Sequence, residues 1–509
     1  MKGENGELSV AEQRALFRAW LHRNVGGVPV KIVETHGSIL GLSADRVWKL
    51  KKAVRFPFID LSTAERRRLN AEREVTLNRR FATDVYLGVV PIDNDGVVID
   101  SVVEMRRMPD ERRLAVVASR SRGRECIDRI AGALVRIHRL APTSAEIDRA
   151  GSAAALSEMW SRNLEEMRPF TTSILDADQI ACVADDAYRY LAGREPLLVQ
   201  RIADGHIRDG HGDLLADDIF CLDDGPRLLD CLEFDDQLRY GDVLADVAFL
   251  AMDLERLGHR DLADRLLDRY RQHSGDSWPT SLADLYIAYR AVVRSKVACL
   301  SISADDSTTT SAAAMTARGL LALAAEHLAR GRVRLVLVGG PPATGKTTLA
   351  RELERRTGWT VVHSDEVRKR LAGLEPTTSA EGELDAGLYT PGWNNRTYDA
   401  VLDTARELLS RGESVIADAS WSDETRRKNA ASLAESTSSV LVSFLLTTPA
   451  EIADARARAR ASSQSDASDA LAGVLRVRFA PWPGAIHLDA TEPVNVLAAR
   501  VLEELGGST

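Results

Sequence analysis

RVRLVLVGGPPATGKTTLARELERRT, residues 332–357, decides how the C-terminal part of the chain is read. An apolar strand runs into Gly339-Gly340, and a helical stretch, LARELERRT, follows. Between them Gly340–Thr347 fits GxxxxGK[ST]. Glycines at such a turn let backbone N–H groups wrap a β-phosphate, and the helix N-terminus near Gly345 adds roughly half a positive charge. Lys346 is placed to reach the β- and γ-phosphates and Thr347 to hold Mg²⁺. Gly340, Gly345, Lys346, Thr347 and Thr348 are therefore candidate nucleotide-binding residues, for ATP or GTP. The strand before and the helix after are the context that separates this pattern from a chance match.

Outward from this loop the chain alternates strand and helix. TVVHSD ends in Ser364-Asp365, ESVIADAS carries Asp418, and VLVSFLL is a third strand. Strand C-terminal ends carry the site in open α/β sheets. Asp365 and Asp418 are thus expected where chemistry happens, one orienting Mg²⁺ through water and the other positioning or deprotonating an attacking hydroxyl. The plain alternative is that both cap helices.

The order P-loop, then Ser364-Asp365-Glu366-Val367-Arg368, then Asp418-Ala419-Ser420 resembles the small P-loop kinases that include gluconate kinase, chloramphenicol phosphotransferase and the kinase half of polynucleotide kinase. The resemblance covers most of 332–507. It implies that Asp365 and Arg368 face the phosphoryl acceptor. It also implies that Arg456, Arg458 and Arg460, in DARARAR, belong to a lid helix, although the same spacing suits a solvated face. Trp393 to Arg396, after Pro391-Gly392, are expected in a loop that either lines the acceptor site or packs.

Upstream, the first 300 residues are β-rich and then α-rich. VPVKIVET, SILGL and RVWKLKKAV read as strands, with Val47, Lys49 and Lys51 on one face. A charged helix follows from about 62 to 80, then the strands YLGVVPI and GVVIDSVVEMRRM. Helices are expected at about 123–140, 151–168, 177–208, 243–300 and 313–329. The strands DIFCL and RLLDCLEF interrupt them. SISADDSTTTSA, 301–312, reads as a loop, and Gly331 stops the last helix. The domain boundary is accordingly expected near 331, giving domains 1–330 and 331–509, with no internal repeat.

His211-Gly212-Asp213 lies before DIFCL, and Asp230 lies 17 positions after Asp213. This spacing places two carboxylates at one end of a short hairpin. Phosphotransfer needs such a pair, one to accept the hydroxyl proton and one to bind Mg²⁺. HGDLLADDIF and LLDCLEFDDQLRYGDVLADVAFL resemble the aminoglycoside phosphotransferase and choline kinase-like family over about 25–300. That resemblance implies Asp213 as catalytic base, Asp230 as metal ligand and Lys49 as the phosphate-contacting lysine, with Lys51 as its rival. It implies Glu74 as the helix partner, with Glu72 as its rival, and Glu104 to Met108 as an adenine hinge. Two positions depart from the family. Asp218 stands where the family has a metal-binding Asn, and THGSILG, around Gly37 and Gly41, stands where a glycine-rich loop is expected.

Composition narrows the remaining classes. The chain has 509 residues, 45% hydrophobic and 28% charged, which suits folded globular domains. A net charge of −9 argues against a duplex nucleic-acid partner. Cys126, Cys182, Cys221, Cys231 and Cys299 form no CxxC pair and read as small buried hydrophobes in a reducing compartment, without a metal-thiolate site. The histidines show no ligand spacing. MKGENGELSV has no apolar run of a signal sequence, and no stretch of 18 apolar residues suggests a membrane span. A cytoplasmic location follows as an expectation.

The sequence thus implies two fused domains: an α+β bilobal protein-kinase-like fold, then an α/β P-loop kinase fold with a parallel sheet. The activity implied is ATP-dependent phosphotransfer to small-molecule hydroxyl acceptors at two sites, with Mg²⁺. The alternatives are a nucleotide-sensing regulator with a degenerate front domain, a P-loop ATPase, and an aminoglycoside-resistance enzyme using acidic residues such as Asp235 and Asp236. Oligomeric state is left open.

Overall fold

The computed structural model describes residues 8–26, 28–35, 37–56, 59–94, 96–302, 312–375, 388, 390–461 and 479–506. Contact density divides the chain into two compact units, and both are discontinuous. One is Met1–Ser152 with Arg201–Ser277; the other is Ala153–Gln200 with Trp278–Thr509.

The first unit opens with a helix that the sequence reading did not anticipate, Val10–Asn24, started by a capping box between Ser9 and Glu12. A five-stranded antiparallel sheet follows, in the order Lys31–Glu34, Ser38–Leu42, Arg46–Lys51, Val97–Arg106, Tyr86–Asn94. Its two faces bury different helices. Ile39, Leu50 and Val102 pack with Phe17, Trp20 and Leu21 of the first helix. Val103 and Met105 pack with Ala71 and Val75 of helix Ala64–Asn78. Period-two alternation therefore turns Val47, Lys49 and Lys51 toward helix Ala64–Asn78.

A buried polar junction ties these layers together. Arg67 donates to both carboxylate oxygens of Asp100, through Nε at 3.0 Å and Nη2 at 2.8 Å. Gln13 Nε2 donates to the same carboxylate at 2.9 Å, and its Oε1 accepts from the Ala53 amide at 2.7 Å. All three side chains are almost fully buried.

Outside that sheet the chain up to residue 331 is mainly helical, with short two-stranded ladders among the described residues. Helix Gly123–Leu140 lies where the apolar spacing placed it. The expected continuous helix 177–208 is instead two helices, Ala177–Ala192 and Glu195–Ala203, broken at Gly193, followed by strand Ile207–Asp209. Gly193 marks the break because its Cα lies against the Thr437 carbonyl, where a Cβ would stand 2.1 Å from the oxygen. The region 243–300 is likewise three helices, Val243–Arg256, Arg260–Ser274 and Thr280–Leu300.

The cysteine reading needs correction. Cys126 and Cys221 are joined by a disulfide, with Cα atoms 6.0 Å apart, while Cys182 is exposed and Cys231 and Cys299 are buried. The bonded pair is 95 residues apart in sequence and meets because helix Gly123–Leu140 packs against Gly225–Leu228, the ladder partner of the strand carrying Cys221.

The second unit holds a five-stranded parallel sheet in the order Thr360–His363, Val415–Asp418, Arg334–Gly339, Val440–Thr447, Ile486–Asp489. Its core draws on Val336, Val338, Leu349, Leu353, Ile416 and Phe444. Helices upstream of residue 331 belong to this unit. Ser281 Oγ donates to the Gly412 carbonyl at 2.6 Å, and the buried Arg194 donates to the Thr437 carbonyl at 2.8 Å. Compact packing therefore divides the chain elsewhere than at 331, because side chains far upstream satisfy backbone groups of the P-loop segment. Pro391–Ser410 is a helix rather than the expected loop; Thr390 caps it, and a proline is tolerated in a first turn, where the N–H has no partner. Among the described residues no helix is long and apolar enough to cross a membrane.

Removing Asp100 leaves the Arg67 guanidinium buried without its counter-charge. Asp100→Ala should destabilise the first unit by about 3–5 kcal/mol, read as a lower midpoint of the transition that reports it. An Arg67→Met/Asp100→Leu pair should lose much less. Equal losses in the two variants would contradict this account.

Candidate active sites

The front site is built on the loop 211–218, which follows strand Ile207–Asp209. Asp246, buried in helix Val243–Arg256, accepts from the His211 amide at 2.6 Å and the Gly212 amide at 3.0 Å. Burial alone would raise the Asp246 carboxyl's pKa. The hydrogen bond and charge of His138, and the donors of His211, outweigh it and hold the group well below the ordinary carboxylate range. Gly212 has φ +85, a left-handed conformation that favours glycine. His211 is fully buried, and burial lowers its pKa to about 4. As a neutral ring it accepts from the Asp213 amide at Nδ1 (3.3 Å) and donates from Nε2 to the Leu229 carbonyl (3.1 Å). Downstream, the Ala216 amide donates to Asp253 at 2.9 Å. Two buried carboxylates thus fasten the loop that presents Asp213 and Asp218.

Strand Ile219–Leu222 starts directly after Asp218 and pairs with Gly225–Leu228. Asp230 lies just beyond that partner, not within it. Its φ is +65, and its amide donates to the Tyr86 hydroxyl at 3.1 Å. The side chain of Asp230 is 52% exposed. Burial, with the negative charges of Asp230 and Asp213, pushes the Asp218 carboxyl up to about 8; Arg113 and Lys49 offset part of this. Three carboxylates therefore repel one another here, the electrostatic condition that a divalent cation relieves. Among the described residues no group of three or more His, Cys, Asp or Glu closes a metal cage. Mg²⁺ is usually held by one or two carboxylates together with substrate phosphates, so Asp218 and Asp230 fit it as a pair.

Both rival lysines meet the same glutamate. Lys49 Nζ is 2.9 Å from Glu74 and 3.0 Å from Asp230, and Lys51 Nζ is 2.6 Å from the other Glu74 oxygen and also pairs with Glu233. Burial would lower the Lys49 pKa, but Asp230, Glu74 and Glu233 raise it well above normal. Glu74 is fully buried, whereas Glu72 faces solvent and pairs with Arg68 at 2.5 Å. Lys49 is the lysine that also reaches Asp230. The stand-in for a glycine-rich loop is different in character. Gly41 sits inside a strand, where a Cβ would meet Leu21 Cδ1 at 2.9 Å, so packing under the first helix accounts for it. His36 lies outside the described residues. Asp236 is held by Arg73 and Arg239, which occupies it within the protein.

In the rear site, sheet register does the positioning. Val338 is level with Asp418, and Asp418 with His363, so three strand ends open on one place. Strand Arg334–Gly339 is buried throughout, and helix Lys346–Thr357 starts directly after Gly345. Gly340 has φ +142, and a Cβ there would stand 2.5 Å from the Leu446 carbonyl, so only glycine fits. Lys346 Nζ donates to the Pro341 carbonyl at 2.8 Å. Thr347 Oγ1 donates to Asp418 at 2.6 Å, the pairing of hydroxyl and carboxylate that suits a Mg²⁺ site beside a P-loop. Thr348 is exposed in the same first turn.

Asp365 lies in the first turn of helix Ser364–Leu371, beyond its cap at His363. Its carboxylate is exposed and accepts from the buried Arg368 at 2.5 Å; Arg368 Nη2 also donates to Asn394 Oδ1 at 3.3 Å. Tyr398 and Ser420 share a hydrogen bond of 2.9 Å. Arg456 donates to the Ala490 carbonyl at 2.9 Å, while the side chains of Arg458 and Arg460 lie outside the described residues.

Sequence reasoning missed several site residues. Asp246 sits inside the block LLDCLEFDDQLRYGDVLADVAFL without a role read from it, Asp253 lies beyond that block, and both act through backbone amides. His363 Nδ1 is 2.9 Å from Asp418, a contact that only the parallel register creates.

The Asp218 carboxyl yields a pH test in metal-free protein. Folded, it keeps its proton up to about pH 8; unfolded, it would release it near 3.8. Its contribution to stability is therefore full below the lower value and is lost as pH rises toward the higher one. Asp218→Asn should match wild type near pH 4 and become progressively more stable than it toward pH 8, by up to about 1.4 kcal/mol per unit of pH, measured by parallel melts. Saturating Mg²⁺ should narrow the gap. A difference that does not grow with pH would rule out the carboxylate cluster as described.

The chain is similar to several known proteins. Residues 335–478 match the AAA domain family AAA_33. The uncharacterized protein Rv2004c of Mycobacterium tuberculosis is 42% identical over 466 residues, covering 91% of this chain and 93% of that one; the uncharacterized protein Mb2027c of Mycobacterium bovis gives the same figures. Among solved structures, a choline/ethanolamine kinase family protein from Mesorhizobium loti is similar over 62% of this chain and 94% of its own, at 14% identity and TM-score 0.41. A sugar kinase from Janibacter sp. is similar over 34% of this chain and 95% of its own, at 23% identity and TM-score 0.28. With 42% identity over 91% of its length, the chain belongs to the family of these mycobacterial proteins, and its residues 335–478 match the AAA domain model.

Proposed function

We propose that this protein is an ATP-dependent phosphotransferase with two sites, each passing a γ-phosphate to the hydroxyl of a small molecule. One observation carries the front-site reading: Lys49 pairs with both Glu74 and Asp230 while Asp213, Asp218 and Asp230 are electrostatically coupled. Bound Mg²⁺ supplies neutralisation of phosphate charge, and Asp218 and Asp230 are the residues that hold it. Asp213 accepts the acceptor's hydroxyl proton. Glu74 keeps the Lys49 ammonium aimed at the phosphates, and Asp246 holds the loop that carries the base.

At the rear site the Gly340–Lys346 loop cradles phosphates, Thr347 and Asp418 hold the metal, and Asp365 with Arg368 faces the acceptor. The net charge of −9 favours small acceptors over duplex nucleic acid, and a cytoplasmic location agrees with use of ATP. A second reading, a nucleotide-sensing regulator with a P-loop ATPase, draws on Asp218, whose extra negative charge beside phosphates weakens the front site as a catalyst.

Turnover of the full chain separates the readings. Asp213→Ala should lower front-site transfer by roughly 10²–10⁴-fold while leaving nucleotide affinity nearly unchanged, measured with the rear site disabled. Full activity in that variant would remove Asp213 from the mechanism. Lys346→Ala should abolish rear-site nucleotide use; acceptor-independent phosphate release lost in the same variant would favour the ATPase.

A further inference from the structure

The hairpin that separates Asp218 from Asp230 is a two-stranded ladder, Ile219–Leu222 against Gly225–Leu228. Two isolated strands are marginal in water, so their stability rests on what fastens them. The hairpin is packed through buried Ile219, Phe220 and Leu228 and pinned by the Arg227–Asp84 ion pair; three further fasteners bear on its turn and on Cys221. Arg112 and Arg122 bind the Asp223 carboxylate at 2.6 and 2.7 Å. Arg129 donates to the carbonyls of Leu222 and Asp223 at 3.0 and 2.8 Å. The third is covalent, the bond from Cys221 to Cys126 of helix Gly123–Leu140.

That bond borders a cavity of about 200 Å³, lined by both cysteines, by Arg112, Arg120, Arg122 and Arg129, and by Glu111 and Glu125. Cys126 is 6% exposed and Cys221 8%, while Arg120 and Arg122 at the rim are exposed. A disulfide bordering a cavity whose four arginines outnumber its two glutamates has a route for a small thiol and a net cationic surround for a leaving thiolate, the setting in which thiol–disulfide exchange is favoured.

We propose that the Cys126–Cys221 bond is a thiol–disulfide exchange site for a dithiol reductant, and that its state sets how firmly the hairpin holds Asp218 and Asp230. One thiolate of the dithiol attacks a sulfur of the bond. The S–S electron pair leaves on the other cysteine, and a mixed disulfide forms. The dithiol's second thiol attacks that mixed disulfide and displaces the first cysteine. The dithiol ends as its own disulfide, oxidised by two electrons; Cys126 and Cys221 end as thiols carrying its two protons. The arginine contacts to Asp223 and Leu222 survive this step, so reduction loosens the hairpin without unfolding it. The consequence for nucleotide binding rests on the phosphotransferase reading, whereas the exchange itself does not.

The test uses the full chain purified without reductant. Alkylation under denaturing conditions should label Cys182, Cys231 and Cys299 only, and all five cysteines after dithiothreitol; five labelled cysteines before reduction would overturn the proposal. Hydrogen exchange of the reduced protein should show amides of 219–228 less protected by about tenfold or more, with helix Lys346–Thr357 unchanged. Unchanged protection, or a loss of circular dichroism across the molecule, would each overturn it. The Cys126→Ser/Cys221→Ser variant should reproduce the reduced pattern and ignore dithiothreitol; if it does not fold, the reduced wild type still decides. Mg²⁺-dependent ATP binding in a Lys346→Ala background should weaken several-fold on reduction. Equal binding in both states overturns the switch, whereas no binding in either state counts against the phosphotransferase reading and leaves the exchange result standing.

Discussion

The buried Asp246 carboxylate, accepting the amides of His211 and Gly212, is the contact on which the front site depends. A carboxylate removed from water must find donors, and here they are the backbone of the loop it positions. His138 stabilises its charge from the other side, and His138 is in turn bound to Tyr270 at 2.8 Å. The fixed loop lets neutral His211 reach across to Leu229, one residue before Asp230. The loop carrying Asp213 and the segment leading into Asp230 are thereby one hydrogen-bonded piece.

The rear site achieves its geometry by a different route. Parallel pairing forces neighbouring strands to end together, and the register puts Val338, Asp418 and His363 at one level. At Gly340 the chain passes so close to the Leu446 carbonyl that no side chain fits. Thr347 meets Asp418 because a helix must begin where the loop closes. One site is thus held by buried carboxylates gripping a loop, and the other by the sheet itself.

Packing also redistributes the chain in ways that motif spacing does not announce. Arg194 is buried without a carboxylate partner, and burial lowers its pKa to about 10. It donates to the carbonyls of Gly193 and Thr437 and to Ser439 Oγ. Helices read as part of the front domain thereby become part of the unit that contains the P-loop.

Much was legible in the residues alone. The P-loop between strand and helix, the HGD block with its downstream aspartate, the helix Gly123–Leu140 and the shared face of Val47, Lys49 and Lys51 all follow from local spacing, because turns, periodicity and phosphate cradles are properties of short segments. The choice of Glu74 over Glu72, the joint hold of Lys49 and Lys51 on it, the His363–Asp418 contact and the Cys126–Cys221 bond did not follow. Each joins residues from different elements, and what decides them is which faces the sheets and helices bury. Sequence determined which chemical groups this protein carries and in what local conformations. Tertiary structure decided which of those groups meet, because long-range contact is set by packing and register, and neither is encoded at any single position.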